Sequence, residues 1–526
     1  MQRLELTWIG KGQEPEVEPR ILLHDPSKDY GAPDSENMLI HGDNLLALKA
    51  LEQQYAGQVK CIYIDPPYNT GYAFEHYDDN LEHSQWLSLI RPRLELLWKL
   101  LSEDGSLWIS IDDDEQAYMK VLCDELFGRQ KFIASIIWQK RTSPDMRAVI
   151  SDGHDYILVY AKDRDKFKET RNLIPLTAEQ ATNYKNPDND PRGVWVSTDF
   201  TAQGWRPNQM YTITTPSGKE LSPPEGRCWR HLEDIYKALL EDGRLWFGAD
   251  GSGVPRKKVY LSESAGIAPW TWWTNKEVGH NQEAKKENNA LFGSANAFDT
   301  PKPERLIQHI LHIASNEGDL VLDSFLGSGT TCAVAHKMGR KYIGIEMGEH
   351  AYTHCKKRLD MVISGEDKGG ISKAVNWQSG GGYRFYELAP TLINKDEFGE
   401  YVINPDYSPE MLAGAVALHE GFTYEPDREL FWKQSHGSEK SYLFVTTRHI
   451  NTAFLEMISG GMQEDEFLVI ACCSFDKGIE KQNPHIMVKK IPQMLLERCE
   501  FDKNDYSFNI IHPPVYDDEE ESDNES

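Results

Sequence analysis

The sequence predicts an α/β fold built on a parallel, doubly wound sheet. Runs of β-branched and aromatic residues alternate with amphipathic segments of helical length, which is typical of strand and helix pairs in such sheets. Val59 to Ile64 has the composition of a strand that is buried on both faces, and Pro66 forces the chain out of the sheet directly after it. The stretch 319–331 combines a strand, a glycine turn and the start of a helix that runs to Met338.

The other core elements follow from the same alternation. Leu45, Leu48 and Leu51 recur at helical spacing after a short strand and a polar turn. A proline marks the start of a later helix at Pro303. Further strands are predicted at 37–41, 106–111, 133–139, 156–161 and 341–345, and further helices at 81–101 and 115–127.

Length and composition indicate a globular protein of several domains. The chain has 526 residues, of which 40% are hydrophobic and 26% charged, enough for two to four domains. The first 13 residues lack the apolar core of a signal peptide and no run approaches a membrane span, so a cytoplasmic protein is expected. Eight cysteines without CxxC spacing indicate reduced thiols, with neither disulfides nor a metal implied.

The net charge of −27 argues against a nucleic-acid partner, but its distribution weakens that objection. Residues 138–299 carry 22 lysines and arginines against 22 acidic residues, so this middle part is neutral. An acidic protein can bind DNA through a local basic surface, although long-range attraction is then weak and depends on salt.

The chain is expected to divide into six segments. Periodicity breaks up in the middle, where seven tryptophans lie among polar and basic loops, and the last ten residues are almost all acidic or polar. The segments are an N-terminal arm (1–37), the first core part (38–139), a loop-rich insertion (140–290), the second core part (291–395), a small α/β domain (396–516) and an acidic tail (517–526).

The stretch Asp65-Pro66-Pro67-Tyr68 suits a planar heterocycle that carries an amino group. A carboxylate and the Pro66 carbonyl would accept the two amino hydrogens, and a tyrosine ring offers a stacking face. Two such acceptors would localise the nitrogen lone pair and so activate it without a covalent intermediate. The alternative is an ordinary turn at a strand end, since Asp and Pro are common in turns.

The glycine turn Phe325-Leu326-Gly327-Ser328-Gly329 indicates a cofactor site. Glycines let a backbone approach a ligand, and the following helix start at Thr330 offers free N–H groups. Glu346 lies 19 residues after Gly327, the spacing at which an acid can hold ribose hydroxyls. Cys332 stands where a dinucleotide fingerprint has its third glycine, which favours a mononucleoside-like cofactor over NAD.

Two aspartate-containing turns allow more than one interpretation. Asp43 follows a short strand, where it could line a cofactor pocket or serve as a helix N-cap. Asp112, Asp113 and Asp114 look like a metal cluster, but acids at the start of a helix are favoured by its dipole. No metal site is therefore predicted.

Together, Asp65-Pro66-Pro67-Tyr68 and Phe325-Leu326-Gly327-Ser328-Gly329 resemble the amino-group DNA methyltransferases that use S-adenosyl-L-methionine. Their order, catalytic loop first and cofactor loop last, is similar to the β group, whose Rossmann-like sheet is circularly permuted around a target-recognition insertion. Further stretches resemble the modification subunits of type III restriction-modification systems. They are 7–11, 41–44, 68–71, 298–303 and 380–385.

The resemblance implies a role for each matched residue. Asp65, Pro66, Pro67 and Tyr68 would bind and activate a flipped adenine at N6. S-adenosyl-L-methionine would be held by the residues Asp43, Lys302, Pro303, Asp323, Phe325, Gly327, Gly329, Thr330 and Glu346. The implied partners are double-stranded DNA, a second copy of the chain and a restriction subunit.

Three functional interpretations remain open at this point. The leading one is adenine-N6 methylation of DNA, and N4-cytosine methylation would use the same machinery. A non-catalytic recognition subunit is the alternative of a different class, which Asp65 and Tyr68 argue against because it would not need them. The segment 396–516 would couple subunits by analogy with the family, or simply cap the core.

Overall fold

The structure is a computed structural model. It describes residues 5–12, 17–18, 20–68, 79–296, 298, 300–479 and 483–496. The chain forms two compact units, one made of residues 1–172 and 270–526 and the other of residues 173–269. None of the described helices is both long and apolar enough to cross a membrane.

The strands are numbered in chain order. They are β1 (Leu22–His24), β2 (Tyr30–Gly31), β3 (Met38–His41), β4 (Val59–Ile64), β5 (Leu101–Ile111), β6 (Phe132–Gln139), β7 (His154–Ala161), β8 (Trp195–Asp199), β9 (Thr201–Gln203), β10 (Ile213–Thr214), β11 (Glu220–Leu221), β12 (Arg227–Trp229), β13 (Leu245–Trp246), β14 (Arg256–Tyr260), β15 (Trp272–Trp273), β16 (Leu320–Asp323), β17 (Lys341–Glu346), β18 (Gly382–Leu388), β19 (Ile393–Lys395), β20 (Tyr401–Ile403), β21 (Thr423–Tyr424), β22 (Ser435–His436), β23 (Ser441–Ile450), β24 (Phe467–Phe475) and β25 (Ile486–Lys490).

The α-helices are numbered in the same way. They are α1 (Asn44–Tyr55), α2 (Asp79–Leu100), α3 (Gln116–Cys123), α4 (Arg164–Thr170), α5 (Ala178–Ala181), α6 (Glu233–Glu241), α7 (Asn275–Val278), α8 (Asn281–Phe292), α9 (Glu304–Ala314), α10 (Thr330–Lys337), α11 (Lys357–Ser364), α12 (Pro409–Glu420), α13 (Thr452–Ser459) and α14 (Gln493–Leu496). Single π-helical turns follow α3 and precede α11.

The larger unit is organised around one sheet in which strands from both halves of the chain interleave. The order of the described strands is β1-β18-β3-β17-β16-β4-β5-β7-β6-β15, and β2 pairs with β18. All pairs from β18 through β5 are parallel. β16 and β17 come from the second half of the chain but lie between β3 and β4. The α/β fold predicted from the sequence is therefore confirmed, as a large mixed sheet.

The sheet is not parallel throughout, unlike the prediction. β7 pairs antiparallel with both β5 and β6. The reason is local, because residues 140–153 join β6 to β7 as a hairpin rather than through a crossover helix. The two strands predicted at 133–139 and 156–161 were found, but their relative direction depends on this connection.

Helices cover both faces of the central strands. Every residue of β4 is buried, as predicted for a strand at the centre of a doubly wound sheet. Ile62 and Ile64 belong to a core cluster with apolar residues of α1 and α2. Successive side chains point to opposite faces, so Cys61 and Tyr63 face the other side, where α9 contacts β4 and β5.

Among the described residues, two smaller sheets have three or more strands, and the pairs β9–β12, β10–β11 and β19–β20 form two-stranded sheets. In the unit of residues 173–269, β13, β14 and β8 form an antiparallel sheet, and its core includes Phe200, Trp229 and Tyr236. Near the C-terminus, β21 to β25 form a five-stranded sheet with α12 packed on β23. The division into six domains is not tested by these groupings and remains a prediction.

A buried ion network ties α9, α10 and α11 together behind the glycine turn. Lys337 Nζ donates to both oxygens of Glu304, at 2.9 and 2.8 Å, and forms an ion pair with Asp367 at 2.6 Å. Arg358 donates to Glu304 and, at 2.8 Å, to the hydroxyl of Thr330, the first residue of α10. Burial acts to raise the pKa of Asp367, but Lys337 outweighs it and the pKa is lowered.

Removing the cation of this network should destabilise the protein strongly. Lys337→Met leaves Glu304 and Asp367 buried with less positive charge, which we expect to lower the free energy of unfolding by about 3–5 kcal/mol. Urea denaturation followed by circular dichroism measures the change. Lys356→Met is the matched control, because its ion pair with Asp360 is about one-quarter exposed and should contribute about 1 kcal/mol or less. Equal losses in the two variants would contradict the prediction.

Candidate active site

Three carboxylates mark the edge of the sheet at which the parallel strands end. Asp65 follows β4, Asp323 ends β16 and Glu346 ends β17. β16 lies directly between β4 and β17, so the three residues occupy the ends of adjacent strands. Ligands of open α/β sheets bind outside this carboxyl edge. The candidate site therefore lies here.

Both oxygens of the Asp65 carboxylate accept a hydrogen bond. The Tyr68 hydroxyl donates to Oδ1 at 2.8 Å, and Lys302 Nζ donates to Oδ2 at 2.6 Å. The Asp65 and Lys302 side chains are 21% and 11% exposed, so water screens this ion pair only partly. A carboxylate has about four acceptor positions, so Asp65 can still accept an N–H group from a ligand.

Tyr68 is held between the two charged groups. Lys302 Nζ lies 5.2 Å from the centroid of the Tyr68 ring, within the range of a cation–π contact. Burial raises the pKa of Tyr68 well above its usual range, and the charge of Asp65 raises it further. The hydroxyl therefore stays protonated and keeps donating to Asp65.

The two prolines fix the backbone of the turn after β4. Pro66 is buried and Pro67 half-buried. The indole N–H of Trp86, on α2, donates to the Pro67 carbonyl at 2.7 Å. The turn is thus fixed by ring geometry and by one hydrogen bond from a neighbouring helix.

The glycine turn requires glycine at two positions. Gly327 and Gly329 have φ angles of +56° and +81°, in the left-handed region that side chains disfavour. A Cβ on Gly327 would lie 3.2 Å from the ring of Phe298, and one on Gly329 would lie 3.1 Å from the Cα of Cys355. Gly329 is also the N-cap of α10, so the turn leads directly into a helix start.

Asp323 and Glu346 hold the glycine turn from both sides. Asp323 accepts from the Phe325 N–H at 2.9 Å and from the Thr331 hydroxyl at 2.6 Å. Glu346 accepts from the Gly327 N–H at 2.6 Å. Burial raises the pKa of Asp323 to about 7 and that of Glu346 to about 8, although these donors act in the opposite direction.

One small cavity, of about 30 Å³, connects the Asp65 turn with the glycine turn. The predicted site residues that line it are Asp65, Lys302, Asp323, Phe325, Gly327 and Thr330. Tyr63, Phe298, Thr300, Pro301, Ile307, Leu326, Ser328 and Thr331 also line it. Residues separated by more than 230 positions in sequence thus face the same space.

Asp43 and Pro303 lie at helix starts beside the site. Asp43 Oδ1 accepts from the N–H groups of Leu45 and Leu46 at 2.8 and 3.2 Å, so it is the N-cap of α1, one of the two interpretations of the sequence. Its neighbour Asn44 donates to the carbonyl of Ser324 at 2.7 Å. Pro303 is buried and precedes the first residue of α9. Whether either contacts a cofactor remains a prediction.

Two residues of α2 support the site and were not singled out from the sequence. Trp86 holds the Pro67 carbonyl, and the buried Arg93 pairs with Asp43 at 3.3 Å. Their spacing of seven places them on one helix face, which the sequence shows. What the sequence does not show is the loop that this face contacts.

Asp113, Asp152 and His154 form the group of described residues best able to hold a metal ion. Their ligand atoms lie within 4.8 Å of one another. Lys140 Nζ lies 2.6 Å from Asp152 and 2.7 Å from Asp155, so its charge is shared by these two acids. Asp112 instead accepts from the N–H of Asp114 ahead of α3, as expected of acids near a helix start.

The family described as DNA methylase matches residues 59–357, more than half of the chain. The match runs from the first residue of β4 to the first residue of α11, and so includes both turns of the site. The chain belongs to the DNA methylase family.

Relatives of this chain include subunits of restriction systems. The type III restriction-modification enzyme StyLTI Mod subunit of Salmonella typhimurium is 37% identical over 66% of this chain and 55% of its own length. The probable type III HindVI Mod subunit of Haemophilus influenzae is 31% identical over 68% of this chain and 55% of its own length. The type II methyltransferase M.EcaI of Enterobacter cloacae is 32% identical over 70% of this chain and 77% of its own length. The chain thus spans about half the length of the two Mod subunits.

The Glu346 carboxyl group should make the free energy of unfolding of this protein fall as pH rises. Glu346 has a pKa of about 8 when folded, against an ordinary value of 4.5, so between these values the folded state holds a proton that the unfolded chain has lost. Its contribution is greatest below pH 4.5 and is lost up to about pH 8. In the Glu346→Gln variant, the free energy of unfolding should fall less steeply with pH in this window, by up to about 1.4 kcal/mol per pH unit.

Urea denaturation at four pH values from 5 to 8.5 measures both slopes. Glu349→Gln serves as the control, because Glu349 is exposed three positions further along the chain. If the Glu346→Gln slope ran parallel to the wild-type slope, Glu346 would be ionised in the folded state and the prediction would be wrong.

Proposed function

We propose that the chain transfers a methyl group from S-adenosyl-L-methionine to the N6 amino group of an adenine rotated out of duplex DNA. The observation that carries the proposal is the cavity lined by both Asp65 and the glycine turn. A base inside a duplex cannot present its amino group to such a site, so rotation out of the stack is required. Membership of the DNA methylase family supports the same chemistry.

In this proposal, Asp65 and Pro66 bind the adenine amino group. The Asp65 carboxylate accepts one N6 hydrogen and the Pro66 carbonyl accepts the other, which localises the lone pair on nitrogen. Asp65 is also the nearest acceptor for the proton that N6 gives up. The Tyr68 hydroxyl fixes the carboxylate while its ring offers a face to the base. Pro67, through its contact with Trp86, keeps the turn rigid.

Lys302 has two possible partners in this scheme. It now donates to Asp65, and it lines the same cavity as Phe325 and Gly327. An amino group that approaches Asp65 competes with Lys302 for Oδ2. A negatively charged group of the cofactor would be a suitable second partner for the ammonium group.

The residues around the glycine turn fit S-adenosyl-L-methionine, which supplies an electrophilic methyl group on a sulfonium. Gly327 and Gly329 form a surface that a Cβ would fill, and Glu346 offers carboxyl oxygens to hydroxyl groups. Asp323 lines the same cavity, and Asp43 and Pro303 would complete the pocket from the starts of α1 and α9. A volume of 30 Å³ is close to that of one water molecule, so the lining, including Phe298, must move to admit the cofactor.

We assign DNA recognition to residues 140–290. The compact unit 173–269 lies within this segment and exposes Trp205 (71%), with Arg206 next to it. An exposed aromatic beside a cation suits stacking and phosphate contacts. Other tryptophans of the segment, such as Trp229 and Trp273, are buried and belong to cores.

The partners are proposed from the relatives. Two of them are Mod subunits of type III restriction-modification enzymes, so this chain is proposed to act as a modification subunit, as a homodimer on DNA and beside a restriction subunit. Residues 396–516 would provide the coupling surface. Light scattering of the protein with and without DNA tests the dimer.

Asp65→Ala should abolish methyl transfer and leave cofactor binding largely intact. The expected loss is a hundredfold or more, roughly that of removing one preorganised charged contact. The assay uses labelled S-adenosyl-L-methionine with unmethylated mixed-sequence duplex DNA, then digestion and nucleoside chromatography. Cofactor affinity is measured separately by calorimetry.

Asp113→Ala is the control, because Asp113 is an exposed aspartate at the end of the neighbouring strand β5. It should retain the wild-type rate. Label in N4-methylcytosine would support the proposed mechanism but show that the methylated base is cytosine rather than adenine. Cofactor binding without any label in DNA would favour the non-catalytic recognition subunit. Loss of both cofactor binding and transfer in Asp65→Ala would contradict the assigned roles.

A further inference from the structure

The loop between β6 and β7 exposes apolar side chains to an unusual degree. Met146 and Ile150 are each 89% exposed and Val149 is fully exposed. Single exposed apolar residues are common, but three within five positions form an exposed apolar patch, which is typical of a binding surface. We name residues 141–151 the hairpin loop.

The hairpin loop is held by hydrogen bonds at its base and within the loop. At its base the Lys140 N–H donates to the Gly153 carbonyl at 3.0 Å, and Lys140 Nζ donates to the buried Asp155 at 2.7 Å. Within the loop, the Asp145 N–H donates to the Ser151 hydroxyl at 2.7 Å, and Asp145 in turn accepts from the N–H of Arg147 at 2.9 Å. The apolar tip is therefore presented by a closed turn.

The hairpin loop projects from the same sheet edge as the Asp65 turn. β7 runs antiparallel to β5, with Ile111 paired to Tyr156, so the start of β7 lies at the carboxyl end of β5. Burial raises the pKa of Asp155, at the base of the loop. The positive charges of Lys140 and Lys302 lower this pKa, and the negative charge of Asp65 raises it. The base of the loop is thus within electrostatic range of the proposed catalytic carboxylate.

Charge and shape favour duplex DNA as the partner of this loop. Arg147, whose side chain is 64% exposed and forms a surface ion pair with Asp145 at 3.3 Å, stands beside Met146 at the tip, and Arg141 stands at the base. An exposed ion pair of this kind is weak, so Arg147 can exchange Asp145 for a phosphate. Cationic groups next to an apolar tip suit a groove lined by phosphates, where proteins insert Met, Ile or Leu between base steps. The location of the loop, at the sheet edge that also carries Asp65, favours DNA over a second protein surface.

We propose that the hairpin loop enters the duplex at the target and that Met146, Val149 and Ile150 replace the extruded adenine in the base stack. The inference rests on the proposed function, because it supplies the step that brings a paired adenine to Asp65. Unstacking and unpairing a base costs free energy, and apolar side chains that fill the gap recover part of it.

The test compares a paired with an unpaired target. The methylated site is first mapped by sequencing DNA that the wild-type protein has modified. Two short duplexes with this site are then made, one with the target adenine opposite thymine and one with it opposite an abasic position. Rates of methyl incorporation are measured for the wild type and for the combined variant Met146→Ser, Val149→Ser and Ile150→Ser. All three side chains are exposed, so the variant should fold, which a thermal melt verifies.

We expect the combined variant to be slower by about tenfold or more on the paired duplex and to recover to within about threefold of wild type on the abasic duplex, where unpairing is already done. Phe398→Ser, at an 86% exposed site in another loop, should behave as wild type on both.

Two results would overturn the inference while leaving the proposed function intact. One is a wild-type rate for the combined variant on the paired duplex. If light scattering then showed a smaller species, the loop would contact a second copy of the chain instead. The other is an equal loss of rate on both duplexes, which would mean that the loop contributes to DNA binding in general and not to extrusion of the adenine. Failure of the wild-type protein to methylate any adenine would overturn the proposed function and the inference together.

Discussion

The ion pair between Asp65 and Lys302 is the contact on which the candidate site depends. Asp65 ends a strand of the first half of the chain, and Lys302 precedes α9 in the second half, 237 positions later. The two can meet because β16 and β17 insert between β3 and β4. Neither half alone contains both the Asp65 turn and the glycine turn. The site therefore forms only when the central sheet is complete.

The carboxyl groups at the ends of β16 and β17 share a physical property. Asp323 and Glu346 both lie at the end of a buried strand, and burial raises the pKa of each. Glu346 accepts the N–H groups of Gly327 and Met347, and Asp323 accepts the Phe325 N–H and the hydroxyl of Thr331 on α10. Burying an acid with so few donors is unfavourable unless a ligand adds more. A ribose, with two hydroxyl groups, is a ligand of that kind, which agrees with the role proposed for Glu346.

The sequence was most informative where local chemistry decides the outcome. Full burial of β4, the break at Pro66 and the need for glycine at positions 327 and 329 all follow from residues within a few positions of each other. It was less informative where distant segments meet. Lys302 was assigned to the cofactor pocket, and only the fold shows that it also donates to Asp65. The support from Trp86 is likewise invisible without the packing of α2.

The relative direction of the strands was the other feature that the sequence did not predict. The strands at 132–139 and 154–161 were recognisable, but the hairpin between them makes β7 antiparallel, and no local pattern distinguishes this from a crossover. Asp43 illustrates the same difficulty in a smaller way. Its sequence context fits both an N-cap and a pocket residue, and the hydrogen bonds to Leu45 and Leu46 establish the first.

The compact unit 173–269 is joined to the larger unit through segments that are anchored independently of it. Before the unit, Asn172 donates to the carbonyls of His312 and Ser315 at 2.9 and 3.1 Å. After it, the carbonyl of Thr271 accepts from the Ile137 N–H at 2.8 Å, and β15 adds to the edge of the sheet beside β6. The two segments that flank residues 173–269 are therefore fixed by contacts within the larger unit itself. Under the proposed function, the recognition segment can vary in sequence without loss of these two anchors.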